Sequence, residues 1–253
     1  MGAALHEGGQ RLRPQSIRRL TGDMRKRVQA VIQAHSGYTQ FTVTSDHSNV
    51  LECAYPTDCT VIQKCNHTKS GVYRVFPFGV GKGFLVYCDM MTQGGGWLLS
   101  LRQDGSVDFY RNWQNYTDGF GNLYGEFWLG LQKIDLLTSQ AHFELLVNMR
   151  SYTEGTGYAS YNRFRVADES QSFRLLLGTF KGNTADSLAI QNGLEFSTYD
   201  RDKDYNKVNC AASYHGVWWY HGCHHSNLNG LYVHVKEKNP GKYFISHVVP
   251  LVV

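Results

Sequence analysis

The residue types best suited to chemistry in this chain of 253 residues are concentrated between Phe196 and Gly230. Asp200, Asp202 and Asp204 stand at alternate positions near the start of this stretch. Carboxylates this close repel one another unless a cation lies between them, and hard oxygen ligands on a turn suit calcium. Taken alone, the pattern fits either a calcium site or a solvated acidic turn.

Two cysteines follow the acidic turn and bracket a group of aromatic residues. The cysteines are Cys210 and Cys223, and the aromatic residues between them are Tyr214, Trp218, Trp219 and Tyr220. A disulfide between the two cysteines would restrain the unfolded chain and stabilise the fold by roughly 3 kcal/mol. Such a loop would hold the aromatic residues against the acidic turn, as expected of a binding site.

Long motifs throughout the sequence resemble the C-terminal domain of fibrinogen, as it occurs in ficolins and tachylectins. At the binding end these are DRDKD, NCAASYHGVWWY and CHHSNLNGLY; upstream they are SGVYRVFP at 70–77, VYCDMMTQGGGW at 86–97 and GFGNLYGEFWLGLQKIDLLT at 119–138. The resemblance covers about residues 57–232. It implies an α+β domain with a mainly antiparallel central sheet, flanking short helices and a loop-rich end that binds calcium and ligand.

The resemblance also implies the calcium ligands. They are the side chains of Asp202 and Asp204 and the backbone carbonyls of Asn206 and Val208. An EF-hand is excluded, because the loop has no glycine where that motif needs one and no bidentate glutamate follows.

In the resembled family a pocket beside the calcium accepts acetyl groups, and the peptide bond before the second cysteine is cis. Here that bond is Gly222–Cys223, and the N–H groups of Cys223 and His224 would face one acetyl oxygen. Tyr214 and Trp219 would contact the methyl group, and Tyr243 is a candidate for a further pocket tyrosine. For Trp218 we expect plain core packing.

A zinc site is the alternative reading of His221, His224 and His225 with Cys223. Their spacing of three would suit a helix, but Gly222 and the neighbouring disulfide argue against both a helix and a free thiolate. No nucleophile–base pair can be identified, so we predict that the protein is not an enzyme.

The six cysteines form no C-x-x-C pair, which favours disulfides over zinc fingers. The resemblance implies the pairs Cys59–Cys88 and Cys210–Cys223. That leaves Cys53 and Cys65, which are expected to bond each other or a second molecule. Two sequons, at Asn66 and Asn115, are compatible with N-glycosylation and secretion.

No segment is apolar enough to span a membrane, and the first residues lack the apolar core of a signal peptide. These features predict a fragment or an unusual gene product. Residues 1–56 are predicted to be a basic, partly helical or disordered segment and linker, with helical spacing over Pro14–His35 and seven Arg or Lys between Arg11 and Arg27. A short solvated helix explains these charges better than a nucleic-acid site.

Residues 57–253 are assigned to the main domain, and their patterns match the implied fold. WLGLQKIDLLTSQ predicts a helix, whereas HFELLVNMRS and NRFRVADE alternate as strands do. The sequence departs from the family after residue 232. Because Pro250 disfavours a central strand, we expect residues 233–253 to leave the sheet one strand short.

These observations predict a secreted, calcium-dependent lectin of the innate-immune type that recognises N-acetylated glycans or other acetylated groups. The alternative is a protein-binding module for a cell-surface receptor or matrix partner, like the domains of angiopoietin-like proteins and tenascins. A homo-oligomer formed through the N-terminal segment or through Cys53 and Cys65 is compatible with either function.

Overall fold

The computed structural model describes residues 51–79, 81–91, 96–151, 155–223, 225–232 and 247–252, with the backbone alone described for Ser151 and 247–252. The protein divides into Met1–Ser48 and Asn49–Val253. The predicted basic helix belongs to the first unit and lies outside the described residues. In the second unit residues 51–54 are helical and Cys53 is bonded to Cys65, so the described fold begins before the predicted boundary at Thr57.

One antiparallel sheet of eight strands forms the centre of the second unit. Its strands follow the order β1-β2-β3-β11-β7-β8-β10, and β9 also pairs with β8. A smaller sheet has the order β4-β6-β5. The strands are β1 (Gly71–Val75), β2 (Phe84–Asp89), β3 (Gly96–Leu98), β4 (Ser100–Leu101), β5 (Phe120–Gly121), β6 (Phe127–Trp128), β7 (Phe143–Ser151), β8 (Gly155–Val166), β9 (Leu175–Leu177), β10 (Phe180–Gly182) and β11 (His247–Val252).

Alternation of side chains explains the long β7–β8 hairpin. Phe143, Leu145 and Val147 are buried. Glu144, which lies between the first two, and Asn148, which follows the third, are exposed. A strand with this period has one face on the core and the other towards solvent. The predicted strands and the antiparallel α+β fold are therefore confirmed.

Besides the helical residues 51–54, the described part of the chain has four short helices that flank the sheets: α1 (Cys59–Lys64), α2 (Trp113–Asp118), α3 (Leu131–Thr138) and α4 (Cys210–Tyr214). In α1, α2 and α4 the residue before the helix is Asp or Asn, and its side chain accepts a backbone N–H from the first turn. The predicted helix is α3, which buries Leu131, Ile134 and Leu137 on one face.

The prediction that the sheet is one strand short is wrong. β11 lies between β3 and β7, and its six residues pair with β7 from His247↔Arg150 to Val252↔Leu145. Among the described residues, those of β11 that pair with β3 are Leu251 and Val252, which follow the proline. Pro250 therefore lies where β11 has a single paired neighbour, an edge-like position at which a missing N–H is tolerated.

All six cysteines form disulfides. Cys59–Cys88 and Cys210–Cys223 are present, as the resemblance implied. Cys53 bonds Cys65 within the same molecule, which resolves the alternative of a bond to a second one. The Cys59–Cys88 and Cys210–Cys223 pairs are buried, whereas Cys53 is exposed.

Candidate functional site

The acidic turn stands on the buried core. Ser197 and Trp218 exchange backbone hydrogen bonds of 2.9 and 3.2 Å, and Thr198 and Arg201 exchange bonds of 3.0 and 3.2 Å. The Ser197 hydroxyl also accepts the N–H of Lys203 at 2.9 Å. These contacts fix where the turn leaves the core, so the carboxylates that follow have a defined position.

Asp204 is the most constrained carboxylate of the turn. Its Oδ1 accepts the N–H of Asn206 and its Oδ2 the N–H of Cys210, both at 2.8 Å. Burial raises the pKa of the half-buried Asp204 carboxyl above its ordinary value, and the nearby Asp202 charge raises it further. The turn therefore concentrates negative charge that a bound cation would relieve.

Helix α4 connects the acidic turn to the second cysteine. Its N-cap Asn209 accepts the N–H of Ala212 at 2.8 Å, while the same side chain donates to the carbonyls of Thr198 and Tyr199. Cys210, the first residue of α4, carries the disulfide to Cys223. The helix is thus held at its start by both a cap and a covalent bond.

The segment around Asn206 runs beside the segment that ends at Cys223. The N–H of Tyr205 donates to the His221 carbonyl at 3.1 Å, and the Asn206 side-chain amide donates to Cys223 Sγ at 3.3 Å. Asp202, Asn206 and Val208 are exposed. The proposed calcium ligands are therefore oxygen donors on one turn, and both carboxylates and carbonyls are ligands that calcium accepts.

The two aromatic residues predicted to form the pocket floor differ in their positions. Tyr214 ends α4 half-buried against the core. Trp219 is only 2% exposed, its Nε1 donates to the Phe173 carbonyl at 2.7 Å, and its ring packs edge-on against Phe196. Trp219 is therefore a core residue and not a ligand contact. The sequence could not show this, because a tryptophan in the core and one that lines a pocket look the same in sequence. Trp218 is buried as expected.

The expected cis bond between Gly222 and Cys223 is absent, since the described residues contain no cis peptide. Trans is favoured by about 3 kcal/mol at a bond that does not precede proline. The backbone turns at the same point through Cys223, which has φ 78°. His224 and Tyr243 lie outside the described residues.

Zinc gains no support from the described part of the protein. No group of three or more His, Cys, Asp or Glu there is placed to hold a metal ion. His221 and His225 are exposed, and the sulfur of Cys223 is committed to its disulfide.

The segment after Cys223 contains polar residues whose importance sequence reasoning missed. The hydroxyl of Tyr220 donates to Asn227 Oδ1 at 2.7 Å, and the buried Asn229 donates its amide to the Val217 carbonyl at 3.1 Å. In sequence, SNLNG has only the appearance of a loop. Its asparagines are hydrogen-bonded to the aromatic segment at Val217 and Tyr220, and so help to position the site.

A buried ion pair also supports this end of the molecule. Glu126 accepts four backbone N–H groups, those of Gln103, Asp104 and Gly105 on Oε1 and that of Val107 on Oε2, at 2.7–3.1 Å. Arg102 Nε lies 3.9 Å from Glu126 Oε1. The same guanidinium donates to the carbonyls of Leu228 and Gly230 at 3.4 and 2.9 Å. The pair thereby joins the 103–107 loop to the asparagine-rich segment, and no local motif signals it.

Comparison with known proteins identifies the family. The sequence model described as "Fibrinogen beta and gamma chains, C-terminal globular domain" matches residues 55–245. Fibrinogen C domain-containing protein 1 of Xenopus tropicalis is 41% identical over 228 residues, covering 87% of this protein and 48% of that one. The present sequence thus spans less than half the length of this curated relative.

Two solved structures share the fold. The fibrinogen-like globe domain of human ANGPTL2 has a TM-score of 0.74 at 38% identity, covering 78% of this protein and 98% of that one. A lamprey fibrin D-dimer complexed with the peptide ligand Gly-His-Arg-Pro-amide has a TM-score of 0.71 at 26% identity, covering 94% of this protein and 83% of that one.

Proposed function

Because the protein belongs to the family of C-terminal globular domains of fibrinogen β and γ chains, whose members are binding modules and not enzymes, we propose that it is a calcium-dependent lectin for N-acetylated glycans or other acetylated groups. The observation that carries the proposal is the turn holding Asp202 and Asp204 directly beside the disulfide-bonded Cys223. Pattern recognition of the innate-immune type is the biological role we propose for it.

Calcium would be held by the carboxylates of Asp202 and Asp204 and the carbonyls of Asn206 and Val208. When bound, it supplies positive charge to a turn whose half-buried Asp204 is otherwise destabilised by burial and by Asp202. The protein itself contributes rigidity, because Asp204 is tied to the first residue of α4. Calcium binding would therefore also fix the position of α4 and its last residue, Tyr214.

The calcium site is tested by thermal unfolding with and without calcium. At a calcium concentration 100 times the dissociation constant, binding stabilises the folded state by about 2.7 kcal/mol. We expect Asp204→Asn to abolish the calcium-dependent rise in Tm and Glu144→Gln, an exposed carboxylate on β7, to retain it. An undiminished rise in Asp204→Asn would refute the assignment.

Acetyl recognition is proposed to depend on Tyr214, the last residue of the helix whose first residue, Cys210, is bonded to Cys223. The paired N–H donors expected from a cis bond are not part of the described conformation, so the support comes from Tyr214 and the calcium turn. The test is retention on N-acetylated beads, with and without a calcium chelator. We expect Tyr214→Ala and the chelator each to abolish retention, and calcium-independent retention would contradict the proposal.

The three disulfides are those of an extracellular type of domain, and we propose that the protein is a secreted glycoprotein. No helix among the described residues is long and apolar enough to cross a membrane. Asn66 is exposed with φ 65° just after α1, whereas Asn115 lies within α2, next to buried Tyr116 and Thr117. We therefore expect Asn66→Gln, and not Asn115→Gln, to remove most of the glycosidase-sensitive mass from protein secreted by animal cells.

A protein-binding module for a receptor or matrix partner is the second candidate. The observation in its favour is the lamprey fibrin structure, which is complexed with a peptide ligand. The bead experiment separates the two functions: retention that free N-acetylglucosamine competes away supports the lectin. Failure to bind any acetylated probe, with the calcium-dependent rise in Tm intact, would favour the protein-binding module.

A further inference from the structure

Three charged side chains surround Trp113, the first residue of α2. Asp200 Oδ1 accepts the backbone N–H of Trp113 at 3.0 Å, and Glu169 Oε1 accepts its indole N–H at 3.1 Å. The guanidinium carbon of Arg201 lies 4.3 Å from the centroid of the indole ring. We call Asp200, Arg201 and Glu169 the Trp113 clamp, because together they hold this residue by its backbone, its ring nitrogen and its ring face.

The clamp is closed by an ion pair and rests on the core. Arg201 Nη1 lies 3.7 Å from Glu169 Oε1, the same oxygen that accepts the indole N–H. Trp113 is only 5% exposed, and its ring packs against those of Phe173 and Phe196 with centroids 5.6 and 6.3 Å apart. The indole is therefore a fixed anchor, and a tryptophan face is the aromatic surface that attracts a guanidinium most strongly.

The clamp lies at the entrance to the acidic turn. Asp200 and Arg201 directly precede Asp202, the first proposed calcium ligand. The backbone N–H of Arg201 also donates to Thr198 Oγ1 at 3.1 Å. Arg201 is thus fixed by its backbone on the side of the core and by its guanidinium on Trp113. Since the next residue along the chain is Asp202, this double attachment defines where the carboxylates of the turn begin.

The clamp also gives a cation beside the turn a partner outside it. Arg201 adjoins Asp202 in sequence, and a guanidinium pairs readily with a carboxylate. An ion pair between them would occupy an oxygen that calcium needs. Glu169, whose carboxylate lies outside the turn, pairs with this cation instead. The clamp thereby supports calcium binding in two ways: it fixes the backbone, and it keeps Arg201 on Trp113.

We propose that the Trp113 clamp positions the acidic turn for calcium, with its three side chains as positioning residues that do not touch the ion. The inference rests on the proposed calcium site at Asp202 and Asp204. A turn that is already ordered loses less conformational entropy when the ion binds, so the clamp raises calcium affinity. Coupling between two sites is reciprocal, and calcium should therefore strengthen the contacts of the clamp by the same factor.

The first test compares calcium titrations of the parent, Arg201→Gln and Lys203→Gln by calorimetry. Both substitutions remove one positive charge from the turn, and an effect of charge alone makes both variants bind calcium more tightly. Lys203 is the matched control, because it contacts the core through its backbone N–H, which glutamine keeps. We expect Arg201→Gln to bind calcium about twofold to fivefold more weakly than Lys203→Gln, the factor that corresponds to an exposed cation–π contact.

The second test separates the hydrogen bond of Asp200 from its charge. Asp200→Asn and Asp200→Ala lose the same charge, but only asparagine keeps an oxygen that can accept the N–H of Trp113. We expect Asp200→Ala to bind calcium about twofold to tenfold more weakly than Asp200→Asn, which is the range for the net contribution of one hydrogen bond. Thermal unfolding without calcium checks that both variants fold; if Asp200→Ala does not, the comparison of Arg201→Gln with Lys203→Gln decides alone.

Amide hydrogen exchange gives a readout that a purely structural role would not change. In the parent, calcium should slow the exchange of the Trp113 N–H about as many fold as the clamp raises calcium affinity. Asp204→Asn, which removes a proposed ligand, should show the same exchange rate at Trp113 with and without calcium. Exchange at Trp113 that does not respond to calcium in the parent would contradict the proposal.

The outcomes distinguish this inference from the proposed function. A parent that binds no calcium refutes the calcium site and the role of the clamp together. A parent that binds calcium, with equal affinities within either pair of variants, refutes the clamp alone. Tighter binding by Arg201→Gln than by Lys203→Gln would show that Arg201 acts as a competing charge and not as a positioning residue.

Discussion

Replacing Glu126 by alanine removes the acceptor for four backbone N–H groups in the 103–107 loop, and it leaves Arg102 buried without its carboxylate. Glu126 is 1% exposed and Arg102 is 5% exposed. Removing one partner of a buried ion pair costs about 3–5 kcal/mol, and each buried donor left unsatisfied adds roughly 1–3 kcal/mol. The sum overestimates the loss here, because Asp104 and Gly105 are exposed and water can reach their N–H groups.

We therefore expect Glu126→Ala to lower the free energy of unfolding by about 4 kcal/mol, near the middle of the range for a broken buried pair. Glu126→Gln should cost about 2 kcal/mol, because one oxygen remains while the new amide faces a backbone donor. Arg102 keeps its bonds to Leu228 and Gly230 in both variants, so the damage should be concentrated in the 103–107 loop.

Urea unfolding with the disulfides intact, followed by tryptophan fluorescence, measures the loss. Amide hydrogen exchange at Gln103 and Val107 locates it, and Glu144→Gln serves as the control for removing a carboxylate. A loss below about 1 kcal/mol in Glu126→Ala, the value typical of surface pairs, would show that the pair is not effectively buried.

Packing and exposure give three further predictions. Gly230→Ala should destabilise the fold by about 1–3 kcal/mol, since a Cβ at position 230 would lie 2.6 Å from Asn227 Nδ2. A Cβ at Gly222 would meet no atom within 4 Å, so Gly222→Ala should leave the stability measured by thermal unfolding unchanged. Mild reduction followed by alkylation should label Cys53 and Cys65 first, because an attacking thiolate reaches an exposed disulfide sooner; equal labelling of all pairs in mass spectrometry would contradict this. Deleting β11 should abolish cooperative unfolding, because it separates β3 from β7; a cooperative melt of the truncated protein would overturn the assigned topology.

Local patterns were enough to predict much of this molecule. The α3 helix and the β7–β8 strands have clear periodicity, and the acidic turn and Cys210–Cys223 consist of rare residue types at short spacing. The resemblance carried the long-range Cys59–Cys88 pair. These features depend on residues near one another in sequence or on long, specific motifs.

The errors have a common physical cause, which is dependence on distant partners. The rule that proline avoids central strands is sound, but only the register of β11 against β3 shows that Pro250 escapes the penalty. Trp219 could not be assigned to core or pocket without Phe173 and Phe196 in place. The Arg102–Glu126 pair gave no signal because each charged residue alone predicts exposure.

The position of β11 in the sheet also determines how this domain can fold as it leaves the ribosome. β3 and β7 are synthesised long before β11, and neither can pair with it until nearly all of the described residues have emerged. Until then both strands have open edges able to pair with another molecule. Pairings so distant in sequence also form slowly. The nascent domain is therefore prone to aggregation until its central strand arrives, and oxidation of Cys210–Cys223 can precede that step.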